Sequence, residues 1–291
     1  MLALRDSHGA QGLNARVSVG SREVHVDLSK PVSLAIELDF SERQPRHFDA
    51  PPASSRPFAV PGFSGSVAHG ASCNCQTLTL IPHCNGTHTE CVGHLTREPA
   101  DAFRAAPLGL LPALLVSIEP VEAAQAGGES TDPKPQTGDR LITRQAIATS
   151  WHKVAAPFDP RALVLRTLPN PPAKRYQDYT NQTPPYLSRE AALWLVELGI
   201  EHLVVDLPSI DRSHDEGRLT VHRIFFGLPP GSTTLTHATR PGSTVTELAY
   251  IPDTAPDGAY LIEIQVPALA GDAVPSRPLL YRLSSSRIAA A

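Results

Sequence analysis

Ala113 to Ile118 is an almost continuous apolar run, and His202 to Leu207 is a second strand of the same kind. A strand that is apolar on successive residues is covered on both faces, so these runs belong inside a sheet rather than on its solvent side. Other segments alternate with the period of a strand. Val24, Val26 and Leu28 alternate with His25 and Asp27, Leu78 and Leu80 with Thr77 and Thr79, and Tyr260, Ile262, Ile264 and Val266 share one face. Arg161 to Leu168 and Thr244 to Ile251 read as further β segments.

Helices are fewer. Ser188 is placed as an N-cap, Glu190 lies in the first turn, Ala191, Trp194, Leu195 and Leu198 form one apolar stripe, and Gly199 follows as a terminator. Thr143 caps a second, shorter helix. The chain of 291 residues has 29 prolines against 19 glycines, which implies many rigid, extended connections. Ser41 to Gly70 is proline-rich and irregular, of a length that carries function, touches another subunit or is an ordinary surface excursion. A mixed α/β fold is expected, with a flexible tail over 1–22, one domain over 23–285 and a C-terminal tail over 286–291.

The net charge of −4, from 25 basic and 29 acidic residues, offers no basic field for nucleic acid. No apolar run reaches the length that spans a bilayer, and Arg5, Asp6 and His8 stand where a secretory core would be, so a cytoplasmic protein is expected. There is no GxGxxG loop and no P-loop. The four cysteines, Cys73, Cys75, Cys84 and Cys91, lie in one short segment, unlike a disulfide framework that staples distant parts of a chain.

The chemistry concentrates in His83-Cys84-Asn85-Gly86-Thr87-His88-Thr89-Glu90-Cys91-Val92-Gly93-His94, and the strand with Leu78 and Leu80 runs straight into it, so the motif is expected to be delivered at a strand end. His88 and Glu90 are two apart and share a face if the backbone is extended, whereas Glu90 and His94 are four apart and share a face if it is helical. A strand-to-helix transition there aims all three inward. Imidazoles and a carboxylate, with His83 and Cys84 just upstream, are ligands that Zn²⁺ or Mn²⁺ prefers. His222 and Glu247, from later segments, are candidates to join them.

This segment resembles the H-x-G-T-H-x-D-x-P-x-H signature of the cyclase family, which includes kynurenine formamidase and isatin hydrolase. Gly86-Thr87-His88 and His94 fall in register. Asp27-Leu28-Ser29-Lys30-Pro31, Arg166-Thr167, Asp206-Leu207-Pro208-Ser209-Ile210-Asp211 and His222 follow in the family's order. The resemblance implies a swivelling β/β/α domain, a homodimer or homotetramer, and one or two divalent ions per chain. It makes His88, Glu90 and Glu247 ligands of one ion, Glu90, His222 and Glu247 ligands of a second, and His94 a proton shuttle.

Three positions depart from the signature. Cys84 occupies the first ligand position with His83 one residue earlier, Glu90 replaces an aspartate, and Val92 replaces a proline. Either His83 or Cys84 could supply the upstream ligand; His83 is preferred because Asn85-Gly86 can redirect the chain by one residue. The family's Trp-Pro-Gly-Asp-like substrate segment is missing, and His47-Phe48 lies in that region without matching it.

The implied activity is attack of a metal-bound hydroxide on an amide, formamide, lactam or ester-like carbonyl of a small molecule, with His94 moving the proton. Two alternatives stand beside it: a cysteine nucleophile at Cys84 or Cys91, and a metal- or ligand-binding protein without turnover.

Overall fold

The computed structural model describes residues 12–40, 43–154, 156 and 158–284. Among them, eleven strands form one mixed sheet. Its centre is parallel, with Leu111–Ile118, Ala162–Thr167, His202–Val205 and Thr244–Glu247 side by side in that order. Gly258–Gln265 joins antiparallel at the Leu111–Ile118 side, followed by Arg277–Ser284, Arg22–Asp27 and Asn14–Val19. At the other side His88–Glu90 pairs antiparallel with Thr244–Glu247 and then with Ala273–Pro275.

The double-sided apolar pattern is used as its chemistry demands. Leu114, Val116, Leu163, Leu165, Leu203 and Val205 point to the face packed by the helices Arg144–Lys153, Arg189–Glu197 and Thr220–Phe226. Ala113, Leu115, Ala162, Val164 and Val204 point to the other face, against Leu34, Tyr260, Ile262 and Leu280. Each such side chain is inaccessible to water, so truncating one of the leucines to alanine would cost about 2–5 kcal/mol. The two caps form as the sequence indicates: Ala146 N donates to Thr143 Oγ1 at 3.1 Å and Ala191 N to Ser188 Oγ at 3.0 Å. Gly199 takes φ +76° after the second helix, a conformation that a side chain would strain.

The fold differs from the sequence reading in four places, the first being that the stretch read as irregular contains the strands Ser54–Pro57, Ala59–Val60 and Phe63–Ser64. The segment with Leu78 forms Gln76–Thr79, which pairs with Ser54–Pro57 in a separate two-stranded sheet and leaves Leu78 53% exposed. Alternation reports one apolar face but not what covers it. Pro82 then opens a helical turn, Pro82–Asn85, so the histidine motif is not delivered by that strand. Residues 14–22, expected within the N-terminal tail, form a strand and the turn into Arg22–Asp27. The first eleven residues and the expected tail at 286–291 lie outside the described residues. Among the described residues no helix is long and apolar enough to cross a membrane.

Candidate metal centre

His88–Glu90 is the strand on which the site is built. Its register places His88 opposite Glu247 and Glu90 opposite Val245. Strand alternation therefore turns His88, Glu90 and Glu247 to one face and the threonines between them to the other. The back face is internally satisfied. Thr87 Oγ1 donates to Leu248 O at 2.6 Å and accepts Ile36 N at 2.9 Å, and Thr89 and Thr246 share a hydroxyl bond of 2.7 Å. Thr244–Glu247 ends early because Leu248 takes φ +50° and turns the chain, which leaves Glu247 at a strand end.

Short helical turns bring the remaining groups. His83 and Cys84 sit on Pro82–Asn85, where successive side chains diverge by about 100°. His94 sits on the 3-10 turn Val92–Leu95, entered directly from the strand. That turn depends on Gly93, because a Cβ there would stand 2.3 Å from the Ala100 carbonyl oxygen. His222 lies in the first turns of Thr220–Phe226. Asp211 accepts the backbone N–H groups of Val221 and His222 at 2.8 and 3.0 Å, so one carboxylate caps this helix and fixes its histidine.

The geometry converges. His83, His88 and Glu90 offer ligand atoms within 4.8 Å of one another, as do Glu90, His222 and Glu247, so Glu90 is common to these two groups; His83, His94 and Asp272 form a third such group, only partly buried, at the margin. Each of the three histidines is held by one ring nitrogen and presents the other inward. His83 Nε2 bonds Asp272 at 2.9 Å while Nδ1 lies 3.0 Å from Glu90. His88 Nδ1 donates to Gly86 O at 3.0 Å, with Nε2 3.5 Å from Glu247. His222 Nδ1 bonds Asp211 at 2.7 Å, with Nε2 2.6 Å from Glu90 and 3.5 Å from Glu247. A histidine oriented by a carboxylate or carbonyl on its far nitrogen is the usual arrangement of a metal ligand. His88 Nε2, His222 Nε2 and both Glu90 carboxylate oxygens are buried without a hydrogen bond of acceptable geometry. Such atoms are costly to bury unless something else satisfies them.

The electrostatics ask for a cation. Burial pushes the Glu90 carboxyl up, but His222 and His94 beside it outweigh that and hold it well below the usual carboxylate range. Burial would push the His222 ring down, yet Glu90, Asp211 and Glu247 hold it well above the ordinary histidine value. His83, disfavoured as a cation by burial, is carried up to about 10 by Asp272 and Glu90. Two extra protons, one on His222 and one on His83, would thus be drawn to a position between carboxylates that a divalent ion could fill.

Other expected groups are placed as follows. His94 is partly exposed at the margin, its Nδ1 3.4 Å from Asp272 and its ring 4.3 Å from that of His83. Cys84 is buried, and among the described residues its sulfur joins no ligand group. Burial raises the Cys84 thiol and pushes Cys91 up to about 11, the opposite of what a nucleophilic thiol needs, so the cysteine alternative loses its basis. Asp272 and the orienting role of Asp211 escaped sequence reasoning. Asp211 stood in a recognisable segment, but nothing around Gly271-Asp272 marks it. Its position is made by tertiary bonds, with Cys91 N donating to Asp272 O at 3.0 Å and Ala102 N to Gly271 O at 2.8 Å.

The Cyclase family model matches residues 26–212. The chain belongs to the cyclase family. No curated protein is similar enough in sequence to match. Among solved structures, a potential metal-dependent hydrolase with cyclase activity superposes with a TM-score of 0.55 at 18% identity, covering 87% of this chain and 97% of that one. An isatin hydrolase bound to the product analogue thioisatinate gives 0.56 at 14%, covering 88% and 93%. Isatin hydrolase A from Ralstonia solanacearum gives 0.52 at 16%, covering 87% and 91%. At these identities the likeness establishes the mixed α/β fold with its large central sheet.

Proposed function

We propose that this chain is a metal-dependent hydrolase that opens an amide-type bond, such as a formamide, lactam or cyclic amide, or an ester-like one, in a small molecule. The observation that carries the reading is the set of three histidines, each anchored on its outer nitrogen and each facing shared buried carboxylates with its inner one. His83, His88 and Glu90 would hold one ion and Glu90, His222 and Glu247 a second, with Glu90 common to both. Zinc or manganese suits these nitrogen and oxygen ligands. When bound, a divalent ion supplies a Lewis acid for the carbonyl and lowers the pKa of a water to near neutrality.

The protein's part is orientation and proton transfer. With an ion in place of the inward protons, Asp211 and Asp272 would fix the tautomers of His222 and His83 so that each presents a lone pair inward. Ile210 N donates to Glu247 Oε1 at 2.8 Å and sets the rotation of that carboxylate. His94 stands at the margin with Asp272 on Nδ1, so a proton taken from the attacking water passes through its ring to the leaving nitrogen or oxygen. The test is exhaustive chelation followed by zinc or manganese, with isatin, an N-formyl aromatic amine, a lactam and a lactone as substrates. Hydrolysis of at least one is expected to vanish on chelation and return with the metal. Full turnover in demonstrably metal-free protein would end the proposal.

A further inference from the structure

His83 faces two ways. Its Nδ1 looks inward to Glu90, but its Nε2 lies 2.9 Å from Asp272 Oδ2, and His94 Nδ1 lies 3.4 Å from that same oxygen. His83, His94 and Asp272 thus offer one ligand atom each within 4.8 Å of one another, and only His83 is shared with an inner group. Ligands about 2.0 to 2.1 Å from a tetrahedral zinc ion stand roughly 3.3 Å apart. The two measured separations bracket that spacing.

Backbone bonds fix this outer group. Cys91 N donates to Asp272 O at 3.0 Å and Cys91 O accepts His94 N at 3.0 Å, so one residue ties both elements together. Just before Asp272, Gly271 N donates to Asp101 Oδ1 at 3.1 Å, and Gly271 O accepts Ala102 N at 2.8 Å. What separates the outer group from the inner ones is access to water. The side chains of His83, His94 and Asp272 are 24, 27 and 44% exposed, whereas those of His88, Glu90, His222 and Glu247 are at most 4% exposed. An ion can therefore enter from solvent and keep water on its open side. Ions held further in would repel it, so this position should bind more weakly than they do.

We propose that His94, Asp272 and the outer nitrogen of His83 form an inhibitory zinc site, filled only when zinc exceeds what the inner groups hold. The ion takes the Nδ1 lone pair of His94 and the Asp272 carboxylate, and the proton shared between His83 Nε2 and Asp272 leaves to solvent. His83 then joins the inner and outer positions through its two nitrogens. With Nδ1 occupied, the His94 ring can no longer pass a proton on, so turnover stops while the inner groups keep their metal. The inhibition rests on the hydrolase reading above; the binding does not.

The test is calorimetric titration of zinc into protein already holding its tight zinc, without substrate. The parent should take up one further, weaker equivalent per chain. His94→Ala, which should retain the tight zinc, should weaken that equivalent by more than the roughly 10-fold that loss of an outer partner costs. Asp272→Asn keeps a hydrogen-bonding group for both rings but is a poor zinc ligand, and should do the same. In assays, zinc beyond the tight equivalents should inhibit the parent and leave the residual turnover of His94→Ala unchanged. Lack of a weak equivalent in the parent, its survival in either variant, or zinc inhibition that persists in His94→Ala would each overturn the proposal. A weak equivalent that depends on His94, without hydrolysis of any acyl compound, would defeat only the hydrolase reading. Hydrolysis with no such equivalent would defeat only this one.

Discussion

Two buried polar clusters stand at the C-terminal ends of the parallel strands, and they meet the demands of burial differently. In the first, Asp206 accepts from Thr167 N and Oγ1 at 3.0 and 2.9 Å and from Lys174 Nζ at 2.8 Å. Beside it Arg166 donates to Ser117 Oγ, to the Pro252 and Ala255 carbonyls and to Asp257, at 2.8 to 3.0 Å. In the second, His88, Glu90 and His222 converge with four buried atoms that have no hydrogen bond. The sequence presents Arg166-Thr167, the Asp206–Asp211 segment and His222 as equivalent fragments of one family pattern. The structure divides them. A closed network braces strand ends, and an open one is arranged for something not made of protein.

If that division is right, the two clusters should fail in different ways. Glu90→Ala removes the carboxylate shared by the two ligand groups that contain His88 and His222, so metal content and the thermal stability that metal adds should fall together, with activity lost altogether. His94, at the margin and tied to Asp272, should behave differently from Glu90 although both belong to the same motif. His94→Ala is expected to keep its metal and melting temperature while kcat drops by roughly 10² to 10⁴, the range for a positioned acid or base, and one limb of the pH profile disappears. A metal-free His94→Ala protein, or one with parental turnover, would erase the distinction between ligand and proton carrier.

The braced cluster should give the reverse result. Asp206→Ala leaves the Lys174 ammonium, whose side chain is 12% exposed, without its buried partner, and should cost roughly 3 to 5 kcal/mol in denaturant unfolding. The protein that remains folded should still bind metal at the parental ratio. A loss of metal larger than the loss of folded protein would mean that Asp206 serves the site and not the sheet.

The two clusters also mark what a sequence can disclose. Strands covered on both faces and the Ser188 and Thr143 caps are local patterns, and each formed near its expected place. The spacing of His88 and Glu90 was legible because alternation is a property of any strand. Asp272 was not. It reaches His83 across 189 positions of chain, through a loop fixed by bonds to Asp101, Ala102 and Cys91, and no local rule encodes that. The strand containing Leu78 was misplaced for a related reason, since its pattern was right and its partner could not be inferred.

The smallest expected effect concerns Cys84, and it separates register from geometry. Alignment with the family signature puts Cys84 where a histidine ligand stands, and thiolate is a good zinc ligand. On the turn Pro82–Asn85, however, neighbouring side chains point about 100° apart, so the two candidates are not expected to reach one ion together. His83 is the one aimed at Glu90, with Asp272 behind it, while the Cys84 thiol is raised by burial and its backbone carbonyl binds His47. Cys84→Ala should therefore leave metal stoichiometry unchanged and cost only about 1 kcal/mol of packing, whereas His83→Ala should reduce metal content. Charge transfer absorption from thiolate to cobalt gives a second reading: cobalt-substituted parent protein should lack the intense near-ultraviolet band of a sulfur ligand. A strong band that Cys84→Ala abolishes would place the sulfur on the metal, and would mean that the turn rearranges when the ion binds.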